Sequence, residues 1–185
     1  MEWTAIFTGL LALSSFVALY LTHRSIKEQR EISLRSTNEQ REIALSDLKV
    51  RNQLRFEEIF DSQITKNKRK LLAHQLLKHA AHDKIQEDVM DLFESIGTFL
   101  RRGYLDQELV WCTWGYYGPH WWNALKDYIL TERKNHNDDQ TLFEEFQYLA
   151  DELYQEEMRH RHKTRAELEP SSTDLRQFLK EEASL

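Results

Sequence analysis

Apolar and polar positions divide the chain into three regimes. From Trp3 to Leu21 no residue carries a charge. A helix over that run reaches about 28 Å and satisfies its own backbone hydrogen bonds, which predicts a single bilayer-spanning anchor. Trp3 and Tyr20 sit near its two ends, where amphipathic rings favour the membrane interface. From Arg24 to about Phe60 charges dominate, but isolated aliphatic residues recur with a fixed offset. Beyond that, apolar residues recur at helical spacing and are punctuated by glycine, proline and capping residues.

The middle regime contains a repeat. Glu28-Gln-Arg-Glu-Ile-Ser-Leu34 returns eleven residues later as Glu39-Gln-Arg-Glu-Ile-Ala-Leu45, and a degenerate copy runs from Val50 to Phe56. Eleven residues are nearly three whole helical turns, so each apolar position stays in line along a helix. Ile32, Ile43 and Leu54 make one stripe; Leu34, Leu45 and Phe56, with Leu48 nearby, make a second. The second lies about 200° round from the first. A two-stranded coil needs one seam, so opposed stripes predict that each stalk helix has two neighbours. The expected partner is the chain itself, in three or more copies.

In the third regime Lys66, Lys68, Arg69 and Lys70 crowd one turn and read as a solvated helix face. Their helix is expected to end near Ala80 to His82. Asp83 with Gln86 reads as a capping box opening the next helix, which carries Val89 to Leu100. Gly103 signals its end, and Asp106 caps a short helix to about Trp114. Pro119 is placed to open another helix at its first position. Asn135 to Asp139 reads as a loop, and Thr141 with Glu144 as a second capping box. The tail from Glu156 to Glu169 is nearly all charged and is expected to be solvated. Pro170 to Thr173 reads as a linker before a short amphipathic helix with Leu175, Phe178 and Leu179.

The expected architecture is therefore all-α. A transmembrane anchor occupies 1–22, a helical stalk 23–60, a helical domain 61–167, and a linker with a C-terminal helix 168–185. Arg24 and Lys27 follow the apolar run and no basic side chain precedes it. That asymmetry places the N-terminus outside and the body in the cytoplasm, at an inner membrane. One cysteine, Cys112, cannot form an internal disulfide, which suits a reducing compartment. The net charge of −6 argues against general nucleic-acid binding.

The order Asp91-Leu-Phe-Glu94, Gly97, Arg101-Arg-Gly-Tyr-Leu-Asp106, Gly115-Tyr-Tyr, Trp121-Trp122 and Tyr128-Ile129 resembles the domain-of-unknown-function family 4760. That is an uncharacterised bacterial family whose members look like membrane-anchored helical proteins. The resemblance covers roughly Phe56 to Tyr154. It implies a helical domain near a membrane and brings no reaction, cofactor or catalytic residue.

Candidate chemistry is sparse. His79, His82, Asp83 and Glu87 have spacing that can present metal ligands, but at a helix junction with many polar residues capping or solvation explains them more simply. Glu157-Met-Arg-His160 has the Glu-x-x-His form of di-iron bundles, without a visible second pair. Cys112 and His120 could be a nucleophile and its base, although a cysteine between Trp111 and Trp114 reads more simply as a small buried residue. No catalytic residue, metal or cofactor is expected. Four of the five tryptophans fall in an aromatic segment with Trp111, Trp114, Tyr116, Tyr117, Trp121 and Trp122. Such rings serve as core, or as an interface for a protein partner. The expected function is a membrane-anchored oligomeric scaffold or sensor. The alternative is a regulated membrane effector, such as a subunit of a bacterial defence system.

Overall fold

The computed structural model describes the backbone of residues 2–78 and 84–185, and the side chains of residues 22–78 and 87–185. Among the described residues there are eight helices and no strands. They are α1 (Glu2–Asp61), α2 (Gln63–Leu77), α3 (Lys84–Arg101), α4 (Gln107–Trp114), α5 (Tyr117–Asn135), α6 (Glu144–Arg161), α7 (Arg165–Leu168) and α8 (Ser172–Ala183). The chain divides into two compact units, residues 1–46 and residues 47–185.

The first unit is helical throughout its described backbone. Every described residue up to Ser46 is exposed, including Ile32 at 68%, Leu34 at 64% and Ile43 at 63%. Among the described residues no helix is long and apolar enough to cross a membrane. The side chains of Trp3 to Leu21, and with them the expected anchor and its rings Trp3 and Tyr20, lie outside the described residues. Arg24 is described and pairs with Glu28 at 2.9 Å on the helix surface.

In the second unit the last turns of α1 pack with the other helices. Phe56 meets Phe99 edge to face at 5.1 Å, and Phe60 meets Phe93 and Tyr117. Phe56 was expected on an oligomer stripe and is instead buried inside the unit, because α3 brings Phe99 against it. Gln53, buried on the neighbouring face, donates to Thr113 Oγ1 at 2.9 Å and to Glu57 at 3.0 Å. Leu54 stays 60% exposed and Leu48 37%.

Ser62 separates α1 from α2 and caps the latter by accepting from the Thr65 N–H. The expected box of Asp83 with Gln86 lies outside the described residues. α3 ends in a Schellman motif: Gly103 N–H donates to the Leu100 carbonyl and Tyr104 N–H to that of Phe99. Gly103 takes the left-handed conformation this motif needs, with φ of 72°. Phe99 and Tyr104 close it by an edge contact at 5.9 Å. Asp106 caps α4 through the N–H groups of Glu108 and Leu109, as its position predicts.

Three local expectations are corrected. Pro119 stands at the third position of α5, not the first, where its missing N–H is still one that a helix start leaves unbonded. Thr141 and Glu144 form no box, because Thr141 is taken by Asp139 at 2.7 Å and Phe143 is left-handed. The N-terminus of α6 is capped instead from α3: Glu94 accepts the Phe146 N–H at 2.6 Å. That reach depends on Gly97, where any Cβ would sit 2.0 Å from the Glu145 carbonyl oxygen. The tail Glu156 to Glu169 is not simply solvated. Glu156 is buried, and α7 turns Arg165 onto Asp151 at 2.7 Å and over the Tyr154 ring at 4.8 Å.

Candidate functional site

The aromatic segment divides cleanly. Trp114, Trp121 and Trp122 are buried core, Trp122 meeting Phe146 edge to face at 5.4 Å. They are therefore not a partner surface. A helical unit of this size needs their area inside. Trp111 and Tyr117 are half-buried, and Tyr116 is 49% exposed.

Trp111, Tyr116, Cys112 and His120 line an open groove of about 650 Å³, closed on its far side by Tyr154, Glu157, Lys163 and Leu168. Trp111 donates through Nε1 to Glu157 at 2.7 Å and stacks on His160 at 4.0 Å. Those contacts, with Arg161 also paired to Glu157, occupy both residues of the Glu-x-x-His pattern. Tyr154 accepts from Asn123 at 2.7 Å, and burial pushes its phenol up to about 12. Cys112 is exposed, contrary to the expectation of a small buried residue, because it faces away from the core side of α4 that buries Val110 and Trp114. His120 has Nδ1 at 2.6 Å from the Tyr116 carbonyl, and burial lowers its pKa. Among the described residues no group of three or more His, Cys, Asp or Glu could hold a metal ion. His79, His82 and Asp83 lie outside the described residues.

Sequence reasoning missed a second arrangement, on the other side of Tyr116. The basic turn of α2 does not form a solvated face. Arg69 is 2% exposed, with its guanidinium 3.8 Å over the Phe60 ring and 5.5 Å from that of Tyr117. Its Nε lies 3.2 Å from Glu182 of α8, whose side chain is also buried. Burial lowers the Arg69 pKa and raises that of Glu182, so each charge is disfavoured by its surroundings and sustained by the other. Lys68 pairs with Asp88 at 3.0 Å and Lys66 with Asp61 at 3.3 Å. Lys70 donates to the Leu185 carbonyl at 2.7 Å. The one sequence signal was the amphipathic pattern of α8, and nothing in it pairs Glu182 with a particular cation.

Against this geometry stand the relatives. The family described as Domain of unknown function (DUF4760) matches residues 8–153. The chain belongs to that family. The match includes the exposed length of α1 as well as the helical unit through most of α6, and α8 lies beyond it. No curated protein and no solved structure matches the chain.

Proposed function

We propose that the protein is a membrane-anchored, oligomeric scaffold or sensor, which holds its helical unit at an inner membrane for a protein partner. The observation that carries this reading is the pair of apolar stripes on α1. Ile32, Leu34, Ile43 and Leu45 are all more than half exposed, yet they keep an eleven-residue register. Each such side chain gains roughly 1.5–3 kcal/mol when buried, and a solvated rod needs no register. The uncharged run from Trp3 to Leu21 supplies the anchor, and confinement to a bilayer raises local concentration for association. Arg24 and Lys27 orient it with the body in the cytoplasm. The reading assigns no reaction, cofactor or nucleic acid.

The anchor and its orientation are tested together. In a Cys112→Ser background, a cysteine is placed at exposed Thr173. The protein is expected to need detergent for extraction, and that cysteine to resist an impermeant thiol reagent in intact cells. Extraction by salt alone removes the anchor; labelling before lysis reverses the orientation.

A further inference from the structure

The docking of α8 differs in kind from the rest of the helical unit. α8 packs on α2 and α5 through Phe178 and Leu179, with Glu182 one turn further on. Phe178 enters a cage of rings: Trp121 at 5.2 Å, His120 at 5.0 Å and Tyr116 at 5.7 Å. Beside the cage, Arg69 waits at the bottom of an aromatic wall. Two charges are thus taken out of water, and their bonding is incomplete. Arg69 Nε and Nη1 and Glu182 Oε2 make no hydrogen bond, although Nε and Oε2 lie 3.2 Å apart. A buried ion pair offsets its desolvation only with good geometry and full hydrogen bonding. α8 is therefore held by rings, by one poorly satisfied buried pair and by two exposed hydrogen bonds, Tyr116 donating to Glu181 at 3.2 Å and Lys70 to the Leu185 carbonyl at 2.7 Å, whereas α3 and α6 are joined at near backbone contact through Gly97.

The segment before α8 is self-contained. Ser171 and Asp174 form a reciprocal capping box, so α8 begins on its own chain and not on the groove. The groove residues Arg69, Tyr116, His120 and Trp121 all lie inside the span matched by the family, while the occupant lies beyond it.

We propose that the groove between α2 and α5 is a helix-binding site, and that α8 is its resident, displaceable occupant. The partner that competes for it is an amphipathic protein helix bearing a Phe-Leu pair, with a carboxylate four residues after the Phe. The ring cage takes the Phe, and Arg69 selects the carboxylate. Tethering keeps α8 at an effective concentration in the millimolar range, so a partner binds well only when α8 is released or outcompeted. This site does not depend on the anchor or on the stalk stripes.

The test uses the full chain in two forms. In the unmodified protein, native-state hydrogen exchange is expected to show α8 amides opening while those of α2 and α5 stay protected. Exchange of all three in a single step overturns the proposal. In the second form a protease site is inserted between Glu169 and Ser171, and binding of a labelled Pro170–Leu185 peptide is measured before and after cleavage. Cleavage is expected to tighten binding at least tenfold, with helicity of the remaining chain preserved as the peptide exchanges. Peptides carrying Phe178→Ala or Glu182→Lys are expected to bind at least tenfold more weakly than the native one. A remaining chain that unfolds as its own α8 segment leaves makes α8 ordinary core. A Glu182→Lys peptide that competes as well as the native one removes Arg69 as the selecting group. Either result overturns the proposal.

Discussion

Leu34, Leu45 and Phe56 occupy equivalent places in three successive copies of one repeat, yet their surroundings differ. Leu34 is 64% and Leu45 52% exposed, whereas Phe56 is 8% exposed against Phe99. All three stand on α1, so local helix geometry does not separate them. The difference lies in what the rest of the chain brings to each. Around Phe56, α3 and α4 supply rings and a hydrogen-bonding network through Gln53 and Thr113. Among the described residues Leu34 and Leu45 stay exposed, and the register persists regardless. A periodic apolar pattern thus marks side chains suited to burial, without stating what covers them.

The comparison breaks first where burial is complete. Trp114→Ala, fully inside, is expected to cost about 3–5 kcal/mol and to unfold a marginal unit. A thermal melt with two-state behaviour of the helical unit checks it; a loss under 1 kcal/mol would make Trp114 dispensable to the core. Next comes Gly97→Ala, whose Cβ would meet the Glu145 carbonyl oxygen at 2.0 Å. Forcing α3 from α6 is expected to cost about 1–3 kcal/mol or more and to loosen the cap that Glu94 provides. Unchanged denaturant midpoints would contradict the close approach.

Glu94 sharpens the comparison through pH. Burial raises its pKa, opposed by the α6 amide hydrogen bonds it accepts, with Glu145 and Asp91 raising it further. The folded state then holds the proton more tightly than the unfolded one. Glu94 therefore contributes stability below the ordinary glutamate pKa, and that contribution is lost as pH rises through the raised value. Glu94→Gln should flatten the fall in stability as pH rises above the ordinary glutamate pKa, read by melts at increasing pH. A steeper fall in the variant would reverse the sign. At the small end, Leu34→Ala should leave the melting of the helical unit within about 0.5 kcal/mol of the natural chain, because nothing in the described structure covers Leu34.

Much of the local structure is legible in the sequence. The run of α1 to Asp61, the Gly103 terminus and the Asp106 cap follow from residues acting on their immediate neighbours. Part of what is not legible depends on long reach. The Thr141 and Glu144 pattern is a proper box in sequence, but Glu94 arrives from α3 and Asp139 takes Thr141. Arg69 looked solvated because three lysines surround it. Its burial depends on Phe60, Tyr117 and Glu182, and the last of these is on the final helix. Cys112 was misplaced for a simpler reason: tryptophans at 111 and 114 do not tell which side of a short helix faces inward. For Glu94 and Arg69 the deciding contact joins residues far apart in the chain, which composition and spacing do not encode, whereas Asp139 reaches Thr141 from two residues away and the facing of Cys112 is set within α4.

The central claim is that the exposed stripes of α1 are covered by copies of the same chain. The direct measurement is the mass of the full-length protein extracted in mild detergent, with detergent contribution subtracted, for the natural chain and three variants. Three or more chains are expected for the natural protein, a lower mass for Ile43→Asp and for Leu45→Asp, which strike opposite stripes, and an unchanged mass for Arg41→Ala, which lies on neither. A monomer whose mass is the same in all four proteins would contradict the claim.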